Sequence, residues 1–179
     1  MRDRKEARDA EFQSFVVGRW PRLLRTAFLL TGEQHAAEDL VQSTLERAYV
    51  AWRRVGAADD PDAYVRRVMI NVHARRHRRR LKEFLAPKDD SGLTRELPDA
   101  DDLIARADDR GALLTVLAAL PVRQREAVVL RYWEDLSEAQ TAEAMGCSVG
   151  AVKSNAARGI AKLRALPGLV EALTNGGRK

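Results

Sequence analysis

Residues 135–164 read DLSEAQTAEAMGCSVGAVKSNAARGIAKLR, the pattern of two short helices joined by a glycine turn. Ser137 can cap a helix that runs to Met145. Glu138 adds negative charge to its first turn, where the helix dipole favours it. Gly146 follows where the chain needs a left-handed exit, which glycine adopts at little cost. Ser148 can then cap a second helix from Val149 to about Leu166. Ala142 is small enough for close helix crossing. Gly146 and the apolar Val152 complete the spacing by which such a helix pair packs. After Glu143 the next acid is Glu171, and between them lie Lys153, Arg158, Lys162 and Arg164. The second helix is therefore basic, and its polar side suits phosphates. Two amphipathic helices around a glycine turn occur in many helical proteins. The Ala142/Gly146/Val152 spacing and the acid-free second helix favour a DNA-binding helix-turn-helix over that plainer reading.

The rest of the chain fits an all-α protein. It has 179 residues, a formal charge of +5 and a pI of about 9.7, a balance that favours a polyanionic partner. The sequence contains no run of about twenty apolar residues, so no membrane insertion is expected. The charged start, Arg2 to Glu6, has no apolar segment behind it and does not read as a secretory signal. A cytoplasmic protein is expected. Cys147 is the only cysteine, which excludes an internal disulfide and a cysteine-rich zinc site. Its place in the turn predicts a small buried side chain.

Two helical blocks flank a linker. The first, residues 10–82, opens with Phe12, Phe15, Val16, Trp20, Leu23, Leu24, Ala27 and Phe28 at helical spacing, with Pro21 expected to end one short helix and start another. Glu33 to Val55 carries a second stripe of Ala37, Leu40, Val41, Thr44, Leu45, Ala48, Tyr49 and Trp52. Asp60 or Asp62 can cap a third helix, whose stripe is Tyr64, Val65, Val68, Met69 and Val72. From Tyr64 to Lys82 there are seven arginines, one lysine and no acid. So much like charge along about 28 Å of helix is repulsive unless a polyanion neutralises it. Residues 83–105 contain Pro87, Gly92, Pro98 and many acids, which reads as a flexible linker. The second block, residues 106–170, has one helix through Leu113, Leu114, Leu117 and Leu120. Another spans Val122 to Asp135, with Val128, Val129, Tyr132 and Trp133 expected to face inward. The helix-turn-helix completes it, and the last residues, 174–179, read as a frayed tail.

In this order the pieces resemble the two-domain sigma factors of bacterial RNA polymerase, the extracytoplasmic-function (ECF) class. AEDLVQSTLERA (37–48) looks like the family's polymerase-binding helix. LPVRQRE (120–126) and LRYWEDLS (130–137) look like its promoter-binding C-terminal domain. VGAVKS (149–154) looks like the start of its recognition helix. The Ala- and Arg-rich usage is similar to that of high-GC actinobacteria.

The resemblance implies two small helical domains and promoter-specific transcription initiation. It implies core polymerase as a partner, held at the clamp helices of the largest subunit through Asp39, Leu40, Val41, Gln42, Leu45 and Arg47. It implies minus-ten DNA binding and melting by the third helix, through Arg66, Arg67, Asn71, Arg75, Arg76 and Arg79. Melted bases can be held in pockets while arginines track the backbone. Ser148, Val149, Lys153, Ser154 and Arg158 are expected to meet the minus-thirty-five element in the major groove. The family also implies an anti-sigma partner and a monomeric free protein. Three departures stand out. Tyr64 replaces a common Trp, HAR (73–75) replaces a leucine- and aspartate-containing segment, and NAA (155–157) replaces bulkier residues.

Rival classes explain less. An enzyme needs converging groups or metal ligands, and no such constellation, phosphate loop or cofactor motif appears. His73 and His77, four apart on one helix, could form a metal pair. The plainer reading places them as polar residues in the arginine-rich face. A dimeric helix-turn-helix regulator accounts for the C-terminal block but not for the Asp39 helix or the arginine face.

Overall fold

A computed structural model describes residues 2–57, 59–85 and 109–165. All regular elements among them are helical. They are α1 (Arg2–Thr31), α2 (Gln34–Val55), α3 (Pro61–Leu85), α4 (Asp109–Ala119), α5 (Val122–Val128), α6 (Glu138–Met145) and α7 (Val149–Arg164). A π-helical turn, Val129–Trp133, extends α5. Most of the expected linker, and the tail, lie outside the described residues.

Local chemistry sets the helix boundaries. The carboxylate of Glu33 accepts from the backbone N–H of His35 and Ala36, which starts α2. Asp60 does the same for Ala63, and Pro61 occupies the first position of α3, where its missing N–H costs nothing. In α6 the Ser137 hydroxyl accepts from Gln140 N–H while the Gln140 side chain accepts from Ser137 N–H, a reciprocal cap. Gly146 leaves α6 at φ +61, and Ser148 caps α7 through Ala151 N–H.

Helix α1 differs from expectation at Pro21. It continues as one helix from Arg2 to Thr31 with Pro21 inside it. Packing on both sides of the proline overrides its cost of about 3 kcal/mol. Before it, Phe12 and Phe15 sit on the Trp52 ring of α2 at centroid distances of 5.0 and 4.8 Å. Beyond it, Leu23, Ala27 and Leu30 are buried.

The helix through 122–135 also departs from expectation. Tyr132 is 63% exposed and Trp133 48%, so neither faces inward. The π turn inserts an extra residue per turn and rotates the following side chains off the apolar face. Asp135, at φ +53, then redirects the chain into α6.

The two helical blocks meet in one continuous apolar core. Helices α1, α2 and α3 pack on each other, as do α5, α6 and α7. Between the blocks, α6 and α5 lie against α3, and α4 and the π turn lie against α1.

Candidate nucleic-acid interface

Three helices carry the residues expected to act. On α2 the stripe Ala37, Leu40, Val41, Ala48 is fully buried against α1 and α3, leaving Asp39, Gln42 and Arg47 exposed. Leu40 and Val41 are therefore core residues and cannot touch a partner directly. Leu45 is buried, at the floor of a groove lined by Phe12, Trp20, Gln42, Glu46 and Tyr49. Gln42 Nε2 donates to Glu46 at 3.2 Å, one helical turn on.

On α3, Arg67, Asn71, Arg75 and Arg79 recur at four-residue spacing and are all exposed. The other two arginines expected here are engaged within the protein. Arg66 has a side chain only 16% exposed and lies 3.4 Å from Asp60. Arg76 donates to the Asp39 carbonyl at 3.0 Å and to Ser43 Oγ at 2.8 Å. Arg76 thus fixes α3 to α2 and sets the basic face beside the exposed face of α2. Arg79 donates to Glu83 at 2.8 Å, with both side chains exposed.

His73 corrects the sequence reading. It is buried, not part of the arginine face. Its Nδ1 lies 2.9 Å from Glu126 Oε1 of α5, and Glu126 is fully buried. His77 is exposed, yet its pKa is lowered, first by partial desolvation and then by its electrostatic interactions with His73, Arg125 and Arg80, which Glu126 opposes. Among the described residues no group of three His, Cys, Asp or Glu side chains is placed to hold a metal.

On α7, Val149, Lys153 and Arg158 are exposed and Ser154 is half-buried. Ser148 is exposed, but its hydroxyl is used in the cap. Lys153 Nζ lies 3.3 Å from Glu138 on α6. Ala142 and Val152 are buried where the two helices cross. Cys147, expected to be buried, is only half-buried.

Gly159 is a contact that sequence reasoning missed. A Cβ there would lie 2.7 Å from Val128 Cγ2 and 3.3 Å from the Gln124 carbonyl. The close approach of α7 to α5 therefore needs glycine, and an isolated glycine inside a helical pattern was the available signal. Gly159→Ala should gain about 1 kcal/mol of helix propensity and lose about 1–3 kcal/mol to overpacking. A lower melting temperature is the expected net result, read by thermal denaturation. An unchanged or higher one would show that α5 and α7 can separate freely.

Known proteins resemble this chain in sequence and in fold. Residues 17–83 match the Sigma-70 region 2 family and residues 110–163 the Sigma-70, region 4 family. The chain is 40% identical over 156 residues to the RNA polymerase sigma-E factor of Streptomyces avermitilis, covering 86% of this chain and 83% of that protein. It is 30% identical over 151 residues to the ECF RNA polymerase sigma factor EcfG of Rhodopseudomonas palustris, covering 84% and 82%. The fold is similar to that of the sigma factor RpoE of Bartonella quintana, solved in complex with the anti-sigma factor NepR. There the TM-score is 0.66 and the identity 23%, over 91% of this chain and 96% of that one. The Streptomyces relative accords with the actinobacterial pattern of Ala and Arg usage. With both sigma regions present in order and relatives aligned over most of their length, the chain belongs to the extracytoplasmic-function class of RNA polymerase sigma factors, which direct promoter-specific transcription initiation.

Proposed function

We propose a division of labour among three helices. The exposed side of α2, with Asp39, Gln42, Arg47 and the edge of Leu45, docks on the clamp helices of the largest polymerase subunit. The Arg67/Asn71/Arg75/Arg79 face of α3 holds the opened strand of the minus-ten element, with Asn71 capturing a base. The N-terminal half of α7 reads the minus-thirty-five element. One observation carries this reading: Arg76 bonds α3 to the Asp39 carbonyl of α2, so the polymerase-facing and DNA-facing sides form one rigid unit. DNA opened at α3 is then held at a fixed position relative to the polymerase.

Two domains are proposed, residues 10–82 and 106–170, joined by 83–105; the family matches at 17–83 and 110–163 support these limits. The protein works in the cytoplasm with core polymerase and promoter DNA and is monomeric when free. No described helix is long and apolar enough to cross a membrane. An anti-sigma protein is a further proposed partner. Sigma factors are initiation factors, not enzymes, and no catalytic step is assigned to this chain. In vitro transcription by core polymerase on a genomic fragment library tests the reading. Addition of this protein should create a new set of start sites sharing two spaced upstream elements. Start sites that do not change on its addition would overturn it.

Promoter selection separates base reading from phosphate contact on α7. A residue that pairs with a guanine edge contributes about 1–3 kcal/mol of discrimination at one position. Lys153 is shared with Glu138, whereas no acid lies within ion-pair distance of Arg158 among the described residues. Arg158→Ala should therefore relax preference at a single base, and Lys153→Ala should lower all promoters together. A promoter-library selection reads both, and the reverse pattern would exchange their roles.

A further inference from the structure

Five side chains that can carry positive charge converge on one small cavity. It lies where α3 meets the end of α1 and the start of α5. His73, Arg76, His77 and Arg80 line it from α3, Arg125 from α5 and Thr31 from α1. Its volume is about 80 Å³. A water needs about 10–15 Å³ on this measure, so several waters or one compact anion fit. Sites that enclose a whole organic ligand run to about 300–1,000 Å³. The cavity can therefore take a single tetrahedral oxyanion, with the rest of any larger molecule outside, past the exposed His77 and Arg80.

The charge around it is not balanced from within. Among the described residues no carboxylate lies within ion-pair distance of Arg76, Arg80 or Arg125. Arg76 donates only to the Asp39 carbonyl and the Ser43 hydroxyl. Arg125 donates through Nη1 to the Leu30 carbonyl at 2.7 Å and through Nη2 to the carbonyls of Ala118 and Leu120. These acceptors are all neutral, and the Arg125 Nε is buried with no acceptor at all. Buried N–H groups are almost always paired, so this one calls for a partner. Glu126 does not line the cavity and is taken up by His73 at 2.9 Å and Arg123 at 3.1 Å. Burial holds the Arg125 guanidinium below its ordinary pKa, with Glu126 opposing, as it does His77.

DNA on the arginine face does not reach this cavity. At about 100° per residue, His73, Arg76, His77 and Arg80 lie on the opposite side of α3 from Arg67, Asn71, Arg75 and Arg79. The anion must come from elsewhere.

We propose that the cavity binds a phosphate group carried by a small molecule, either inorganic phosphate or the terminal phosphate of a larger metabolite such as a nucleotide. The Arg125 Nε donates to one oxygen, and Arg80 and His77 meet the outer ones. A dianion offsets the surplus of cations, and its hydrogen bonds to them are charge-assisted. A phosphodiester, with one charge and two blocked oxygens, suits the cavity less well. Bound phosphate joins α1, α3 and α5 and stabilises the folded chain by mass action.

Calorimetric titration of the full chain with inorganic phosphate, pyrophosphate and ATP tests this, at constant ionic strength with chloride as the balancing anion. At least one of the three should bind saturably, one per chain. Phosphate binding as tightly as ATP identifies the free ion as the ligand, and tighter pyrophosphate or ATP identifies a terminal phosphate. Arg80→Gln should weaken binding about tenfold. Arg75→Gln removes the same charge from the other side of α3, across about 10–12 Å of helix, and should weaken it less than about twofold. Arg80 is exposed, so its variant should fold normally. Equal weakening by the two variants would show diffuse attraction to a basic helix and overturn the site. No saturable binding of any of the three below about 10 mM would also overturn it.

A thermal melt gives an independent reading. Phosphate at about ten times its Kd should raise the melting temperature by about 3–6 °C. Exclusion of phosphate from protein surfaces stabilises folded chains in general, and that effect does not depend on Arg80. The rise should therefore shrink in Arg80→Gln, and a rise of the same size in both proteins would count against the cavity.

Discussion

Asp39→Ala/Gln42→Ala is expected to weaken binding of core polymerase by about 2–3 kcal/mol, roughly 30- to 150-fold in Kd. Folding should be nearly unaffected. The Asp39 backbone carbonyl, not its carboxylate, accepts the Arg76 bond, so alanine preserves it. The Gln42–Glu46 bond is an exposed pair one turn apart, worth a few tenths of a kcal/mol. Substitutions at Leu40 or Val41 would confuse the test. Both are fully buried, and truncation there would cost about 2–5 kcal/mol (Leu40) or somewhat less (Val41) of core packing. Fluorescence anisotropy with core polymerase, beside a thermal melt, reads the two effects separately. Unchanged affinity in the folded double variant would move the docking surface elsewhere, for example to the apolar groove edge at Trp20 and Phe12.

Arg67→Gln/Arg75→Gln/Arg79→Gln should reduce affinity for single-stranded minus-ten DNA and flatten its salt dependence. Three lost phosphate contacts on a single strand lower the slope of log K against log salt by about two units, roughly a hundredfold in affinity at about 0.1 M salt. All three side chains are exposed on one side of α3. The Arg79–Glu83 pair is solvated, so releasing it for DNA costs little. The contrasting variant is Arg76→Gln. Arg76 is engaged with α2, so its loss should disturb the placement of α3 relative to polymerase and leave the slope for free DNA nearly unchanged. Binding titrations at four salt concentrations distinguish these outcomes. An unchanged slope in the triple variant would remove the phosphate-tracking role.

How legible the molecule was in its sequence depended on the range of the interaction. Ser137, Gly146, Ser148 and the α2 stripe act within a turn or two, and the structure follows them closely. Pro21 and the 122–135 helix depart from what their local sequence predicts because both depend on distant partners. The aromatic cluster around Trp52 holds α1 straight through a proline, and the π turn reassigns Tyr132 and Trp133 to the surface. The candidate sites show the same division. Exposure of Asp39, Gln42, Asn71 and Arg158 follows from helix periodicity. The motif matches, however, also carried Leu40 and Val41, which are core. The placement of His73 depended on meeting Glu126 from the other block, a pairing with no local mark except an acid near an apolar stripe.

Permanganate footprinting of a promoter bound by core polymerase and this protein reads the proposed opening of promoter DNA by α3. Asn71 is exposed between Arg67 and Arg75, with no side-chain partner assigned among the described residues, so Asn71→Ala should leave the fold intact. With the natural protein, thymines in the minus-ten region should become reactive. With Asn71→Ala, promoter binding should persist while that reactivity falls sharply. A full bubble formed by the Asn71→Ala protein would remove base capture from α3.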